Sequence, residues 1–227
     1  MKISAFSFSF ILFCSFCFGQ KNTFISYEIS GGKDYTHVHN PTGDLNFSTT
    51  TLVVPGVNIA QEITKNIYIE TGVRNGYNQT EFQDKTNENT RIVYYRNDIQ
   101  VPLLLQLKLH FLKEKLNVSL SPGINYSIGF KEDNIRIYDP ENQFGTIQSN
   151  FKKDYLMAEV GIAVHYNINR HIFVGARLRY DFGFNDNATI ISDASSNSQF
   201  KFTSRGNSGL VGLSFGYRIS NLWNKKK

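Results

Sequence analysis

The stretch Arg91 to Phe111, RIVYYRNDIQVPLLLQLKLHF, constrains this chain more than any other. With a period of two, Val93, Tyr95, Asn97, Ile99, Val101, Leu103, Leu105, Leu107 and Leu109 fall on one face. Tyr94, Arg96, Asp98, Gln100, Pro102, Leu104, Gln106, Lys108 and His110 fall on the other. A helix would wind Arg96, Asp98 and Lys108 round toward the leucines, so the segment is a strand whose two faces meet different solvents. It is also long. Soluble strands usually run to about 5–6 residues and bilayer-crossing ones to about 9–11, so this alternation suits a strand that spans a membrane and projects beyond it.

Seven more segments share that character. Thr23 to Lys33 sets Phe24, Ser26 and Glu28 against Ile25, Tyr27 and Ile29. Thr51 to Ile63 gathers Val53, Val57, Ile59 and Ile63, and Asn66 to Gln79 opposes Ile67, Ile69, Thr71 and Val73 to Tyr68, Glu70, Gly72 and Arg74. Leu116 to Phe130 alternates most cleanly, with every second residue small or polar. Asp154 to Ile168, His171 to Phe184 and Gly209 to Ile219 complete the set. No amphipathic helix competes. A mean hydropathy of −0.31 excludes a bundle of membrane-spanning helices but not a barrel, whose strands show lipid only every second residue.

The connections alternate in length. Short turns at Thr64 to Lys65, Leu112 to Lys115 and Asn169 to Arg170 separate longer polar links near 34–50, 80–90, 131–153 and 185–208. The predicted fold is therefore all-β, an eight-stranded antiparallel up-and-down transmembrane β-barrel with turns at one end and long loops at the other. Three Gly–Tyr pairs spaced by five residues, Gly161 with Tyr166, Gly175 with Tyr180 and Gly212 with Tyr217, place glycine inward and tyrosine outward as an aromatic girdle. Pro55, Pro102 and Pro122 cannot donate to a ladder, so each should mark a bulge, a strand end or a misplaced boundary. The rival is a secreted barrel of lipocalin type, with its apolar face turned inward around a ligand; parity alone does not separate the two.

Residues 1–19 read as a secretory signal peptide: Lys2 supplies the basic start, Ile3 to Phe18 the apolar core, and cleavage after Gly19 leaves Gln20 first. Residues 20–227 then form one barrel domain. Both cysteines, Cys14 and Cys17, lie within the leader, so the mature chain carries no disulfide, thiolate metal site or cysteine nucleophile. The leader contains one lysine and no acid, which leaves a mild basic excess without a stripe, and nucleic acid is not an expected partner.

On this parity the barrel interior gathers Glu70, Arg74, Arg96, Asp98, Lys108, Glu159, Arg177, Arg179, Asp181 and Arg218. Eight strands enclose little more than their own side chains, so these charges should pair into a polar plug; a narrow small-solute channel is the alternative, and six bases against four acids would suit an anion. His37 and His39 flank Val38 in a link that also holds Asp34 and Asp44, but two imidazoles make a weak metal signal. No metal or cofactor is expected. Glu159 and His165 with Ser127 or Tyr126 would be the material for a lipid-modifying barrel enzyme, with nothing in the spacing to bring them together, and the expectation is a non-enzymatic protein.

The segment Asp98-Ile99-Gln100-Val101-Pro102-Leu103-Leu104-Leu105-Gln106-Leu107, the leader ending Phe18-Gly19-Gln20, and the run from Gly161 to Tyr166 followed by Arg177 to Phe182 resemble the PorT-like, porin-family small outer-membrane barrels of Bacteroidetes. The resemblance implies an outer-membrane location among lipid and lipopolysaccharide, and a role such as structural support or binding of an envelope or secretion-system partner linked to secretion or gliding. It departs at the C-terminus, where Ser220 to Lys227 follows the last strand. Trp223 beside Lys225 to Lys227 is an interfacial anchor or, on the preferred reading, a solvated tail.

Overall fold

The computed structural model describes residues 22–39, 45–48, 52–84, 91–112, 115–129, 134–138, 146–186, 188–193 and 199–219. The expected leader with its Gly19–Gln20 cleavage site, and the tail from Ser220, lie outside the described residues. Alternation dictates what is seen. The strands are β1 (Thr23–His39), β2 (Leu45–Ser48), β3 (Leu52–Thr64), β4 (Ile67–Asp84), β5 (Arg91–Phe111), β6 (Leu116–Gly129), β7 (Asn134–Tyr138), β8 (Thr146–Phe151), β9 (Asp154–Asn167), β10 (Ile172–Gly183), β11 (Ala188–Asp193) and β12 (Gln199–Ile219).

Eight of them close a ring in the order β1-β3-β4-β5-β6-β9-β10-β12, and β12 returns to β1 through pairs such as Ile25 with Tyr217 and Ile29 with Leu213. Every pairing is antiparallel. Leu103, Leu105, Leu107 and Leu109 point outward at 41–59% exposure, whereas Leu104, Gln106 and Lys108 are buried inside. The lipocalin-type alternative is thereby overturned: the oily face is outside and the charges are within. Tyr166 and Tyr217 point outward near the turn end, and the half-buried Tyr180 lies toward the loop end, stacked at 5.9 Å on Tyr35.

The turn end is built from local chemistry. Asn66 takes φ 73° between β3 and β4, a left-handed conformation that asparagine accepts more readily than most residues. Between β9 and β10 the Asn169 Oδ1 accepts from the backbone N–H of His171 and of Ile172, each at 2.8 Å.

Two expectations need correction. The long links are not simply loops: β1 runs on to His39, β12 begins at Gln199, and β2, β7, β8 and β11 add short strands to β4, β5 and β12. These parts stand beyond the lipid, so no lipid face imposes an oily alternation on them, and polar composition hid them. The prolines mark neither strand ends nor bulges. Each opens the ladder on one side without shifting its register. Pro55 lies between the pairs Val53–Tyr77 and Gly56–Arg74, Pro102 between Thr71–Leu103 and Arg74–Gln100, and Pro122 between Leu104–Gly123 and Leu107–Leu120. On their other sides Pro55, Pro102 and Pro122 stay paired with Ile29, Asn125 and Val160. The missing N–H therefore affects one neighbour only. The register shifts fall elsewhere, at Tyr35/His37 and Glu62/Thr64.

Above the ring, β5 with β7 faces β8, β11 and β12 across a small apolar core. Ile92, Tyr94, Ala188, Ile190 and Phe202 are buried in it, with Ile135 and Phe151 packed alongside. Tyr94 and Phe151 stack at 5.1 Å, almost parallel.

Candidate functional site

The inward residues form tiers along the lumen, because alternate residues of neighbouring strands at one height face one another across a narrow interior. The middle tier carries the densest charge. Arg177 on β10 donates to Glu70 on β4 through both terminal nitrogens, at 2.6 and 2.7 Å. Arg74 on β4 donates to both oxygens of Glu159 on β9, at 3.0 and 2.7 Å, and to Asn58 Oδ1 at 3.2 Å. Arg74 also reaches Glu70 at 3.4 Å. Gln106 donates to Glu70. The Arg177–Glu70 pair, two nitrogens on two oxygens, is the strong form of the ionic hydrogen bond, whereas Arg74 shares one nitrogen between both oxygens of Glu159.

Glu28 on β1 joins this tier. It lies 3.3 Å from Arg177 and 3.9 Å from Arg179, and it accepts from Ser30 at 2.7 Å. Arg179 in turn lies 3.7 Å from Asp181, which accepts from Ser208 at 3.0 Å. Toward the loop end, Asp98 accepts from Ser127 and, at 2.6 Å, from the Tyr155 hydroxyl; Arg96 lies over the Tyr155 ring, 4.3 Å from its centroid, and 4.0 Å from Asp98. Asp34 accepts from Asn78 at 2.6 Å. A cavity of about 20 Å³ separates Asp34 from Asp98, room for about one water.

The turn end is aromatic. Phe24, Ala60, Tyr68 and Phe173 pack together, with Phe24 edge-on to Tyr68 at 5.5 Å and to Phe173 at 5.9 Å. Lys108 lies over Phe24 and Tyr68, and Arg218, half-buried, lies over Phe24.

Of the ten charged residues that parity placed inside, nine are buried, and Glu70, Arg74, Glu159 and Arg177 meet in one cluster. Arg179 with Asp181 and Arg96 with Asp98 form two flanking pairs, while Lys108 and Arg218 sit apart at the turn end. Sequence reasoning missed Glu28 and Asp34. Glu28 shares the inward face of its segment but is its lone acid; Asp34 falls where polar composition predicts a loop. With them, and with Glu62, which stands opposite the inward Tyr68 at the turn end, the tally of six bases and four acids becomes six and seven among the described residues.

The other candidates are not assembled. Ser127 serves Asp98, Glu159 serves Arg74, Tyr126 points outward, and His165 lies edge-on to Phe173 at 5.2 Å. His37 and His39 lie on β1 opposite Thr203 and Lys201. Their side chains and Asp44 are outside the described residues, and Asp34 turns into the lumen. Among the described residues no three metal-binding side chains gather.

A closed ring with lipid-compatible leucines outside and paired charges inside is an architecture of bacterial outer membranes. The sequence model described as "Outer membrane protein beta-barrel domain" matches residues 18–189. The chain belongs to this outer-membrane β-barrel family. The barrel therefore resides in the outer membrane. It superposes on OprG from Pseudomonas aeruginosa with a TM-score of 0.60 at 13% identity, over 88% of this chain and 96% of that one. Outer Membrane Protein W of E. coli aligns at 17% identity with a TM-score of 0.49, over 88% and 98%. No curated protein matches. At such identities the likeness to solved structures concerns the fold alone.

Proposed function

We propose that this outer-membrane barrel is a non-enzymatic, closed scaffold that presents its loop-end strands to a partner in the cell envelope. The observation that carries this reading is the Arg177–Glu70 pair, which crosses the lumen between strands on opposite sides of the ring. With Arg74–Glu159 beside it, buried and paired side chains occupy the middle tier. A plugged lumen has little use as a conduit, whereas the built part of the molecule beyond the lipid is large. Exposed Gln148, Ser149 and Asn150 on β8 mark its surface. The Asp98 to Leu107 segment, similar to PorT-like barrels of Bacteroidetes, supports a partner within a secretion or gliding apparatus.

The reading is tested by reconstitution into planar bilayers in concentrated potassium chloride, together with photo-crosslinking from position 149 in cells. Silence in the bilayer and one discrete protein adduct are the expected results. Regular conductance steps would favour the narrow channel, and adducts to lipid alone would remove the partner.

A further inference from the structure

At the turn end the inward charges are not paired with one another: Glu62, opposite Tyr68, accepts from Asn22 and, among the described residues, makes no ion pair with Lys108 or Arg218. Lys108 is 7% exposed, and its Nζ lies 4.1 Å from the ring centroids of both Phe24 and Tyr68. Among the described residues it makes no ion pair. Arg218, with its guanidinium 4.9 Å from the Phe24 ring, makes none either. The nearby carboxylate, Glu70, is fully engaged: Arg177 holds both of its oxygens, and Arg74 and Gln106 add to them. Aromatic faces offer a cation partial compensation, less than a counter-ion supplies once water is excluded.

Two further groups point to the same place. Lys108, His165 and Arg177 line a cavity of about 20 Å³ at the turn end, together with Phe173, Asn167 and the Glu70 carboxylate that Arg177 holds. His165 Nδ1 and Arg177 Nε are buried there with no hydrogen-bond partner. Buried polar atoms are seldom left so. The cavity has room for about one water or one monatomic ion. A water could accept from these groups but brings no charge to the lysine, whose carboxylate neighbour Glu70 is already held by Arg177. A monatomic anion satisfies all three, accepting from the ammonium, from Arg177 Nε–H and from the His165 tautomer that carries its proton on Nδ1.

We propose that this cavity binds a small monovalent anion of the halide class, held by Lys108, His165 and Arg177 at the turn-end mouth. The site stands independently of the scaffold role. It leaves the middle tier closed and makes the anion a resident ligand of the barrel floor.

The test uses the full mature chain folded in detergent and bromide as the probe. Crystals soaked in sodium bromide and measured at the bromine absorption edge should show an anomalous peak beside Lys108 Nζ. Lys108→Met, which keeps the aromatic packing, should lose that peak while keeping its heat-modifiable mobility. A water without anomalous signal, peaks confined to the outer surface, or an unchanged peak in Lys108→Met would each overturn the proposal. Should Lys108→Met fail to fold, the parent chain alone decides. Its unfolding temperature should rise and saturate as bromide replaces gluconate at constant ionic strength, and a flat response would rule the site out.

Discussion

Arg177 and Glu70 meet across the diameter of the barrel, joined by two hydrogen bonds of 2.6 and 2.7 Å between strands four places apart in a ring of eight. No backbone ladder links β4 with β10, so this pair fixes the distance between opposite walls. Removing one partner from a buried pair leaves an uncompensated charge and costs about 3–5 kcal/mol. Arg177→Met should therefore lower the unfolding free energy by about that amount in urea titrations of the folded barrel. Adding Glu70→Leu should cost less than the two single changes summed, because Arg74 keeps Glu159 and Arg179 keeps Glu28. Strict additivity would mean that the pair is not coupled.

Leu105 faces lipid at 43% exposure, opposite Ile69 of β4. A cation at the bilayer midplane on the lipid face costs roughly 2–4 kcal/mol. Leu105→Arg should block assembly, read as loss of the heat-shifted band in the outer-membrane fraction, while Asn150→Ala on the exposed face of β8 should be neutral. Normal abundance of Leu105→Arg would show that the facing is wrong.

The sequence is legible wherever two solvents meet a strand. β5 could be bounded at Arg91 and Phe111 because lipid selects Leu103, Leu105, Leu107 and Leu109 while the lumen selects Gln106 and Lys108. Beyond the lipid this contrast ends. The continuation of β1 to His39 and of β12 back to Gln199 therefore carries no strand signal, although Phe202 of β12 lies at the centre of a packed cap with Ile190 of β11. The ion pairs were half legible. Parity says that Glu70 and Arg177 point inward, but not that strands so distant in sequence stand opposite one another. That follows from the closure of the ring, as does the place of Glu28, which meets Arg177 and Arg179 only because β12 lies between β1 and β10.

Gly123 shows how closely strands approach beside a proline-opened ladder. A Cβ there would lie 2.2 Å from the Leu103 carbonyl oxygen and 2.8 Å from the Leu104 Cα, backbone atoms that do not yield without moving β5. At Gly161 the nearest atom would be 3.5 Å away, an ordinary contact. Overpacking of this kind costs about 1–3 kcal/mol. Gly123→Ala should be destabilised by about that amount, and Gly161→Ala should unfold with the parent in the same titration. Equal behaviour of the two would refute the close approach.

Phe202 separates the stability of the cap from that of the barrel. Its side chain is fully buried among Ile92, Tyr94, Ala188 and Ile190, and the Tyr94 ring lies 6.2 Å from its own. Truncating a buried phenylalanine to alanine costs about 3–5 kcal/mol where the surroundings cannot collapse. Here the loss falls on short strands whose ladders reach the ring through β5 and β12, and such an appendage can open without unfolding the whole. Phe202→Ala should keep its heat-modifiable mobility and its urea midpoint. It should also become sensitive on intact cells to an added protease that the parent resists, with cleavage confined to the loop end. If the variant instead lost the folded band altogether, the cap would be part of the cooperative barrel and its apolar core a condition for closing the ring.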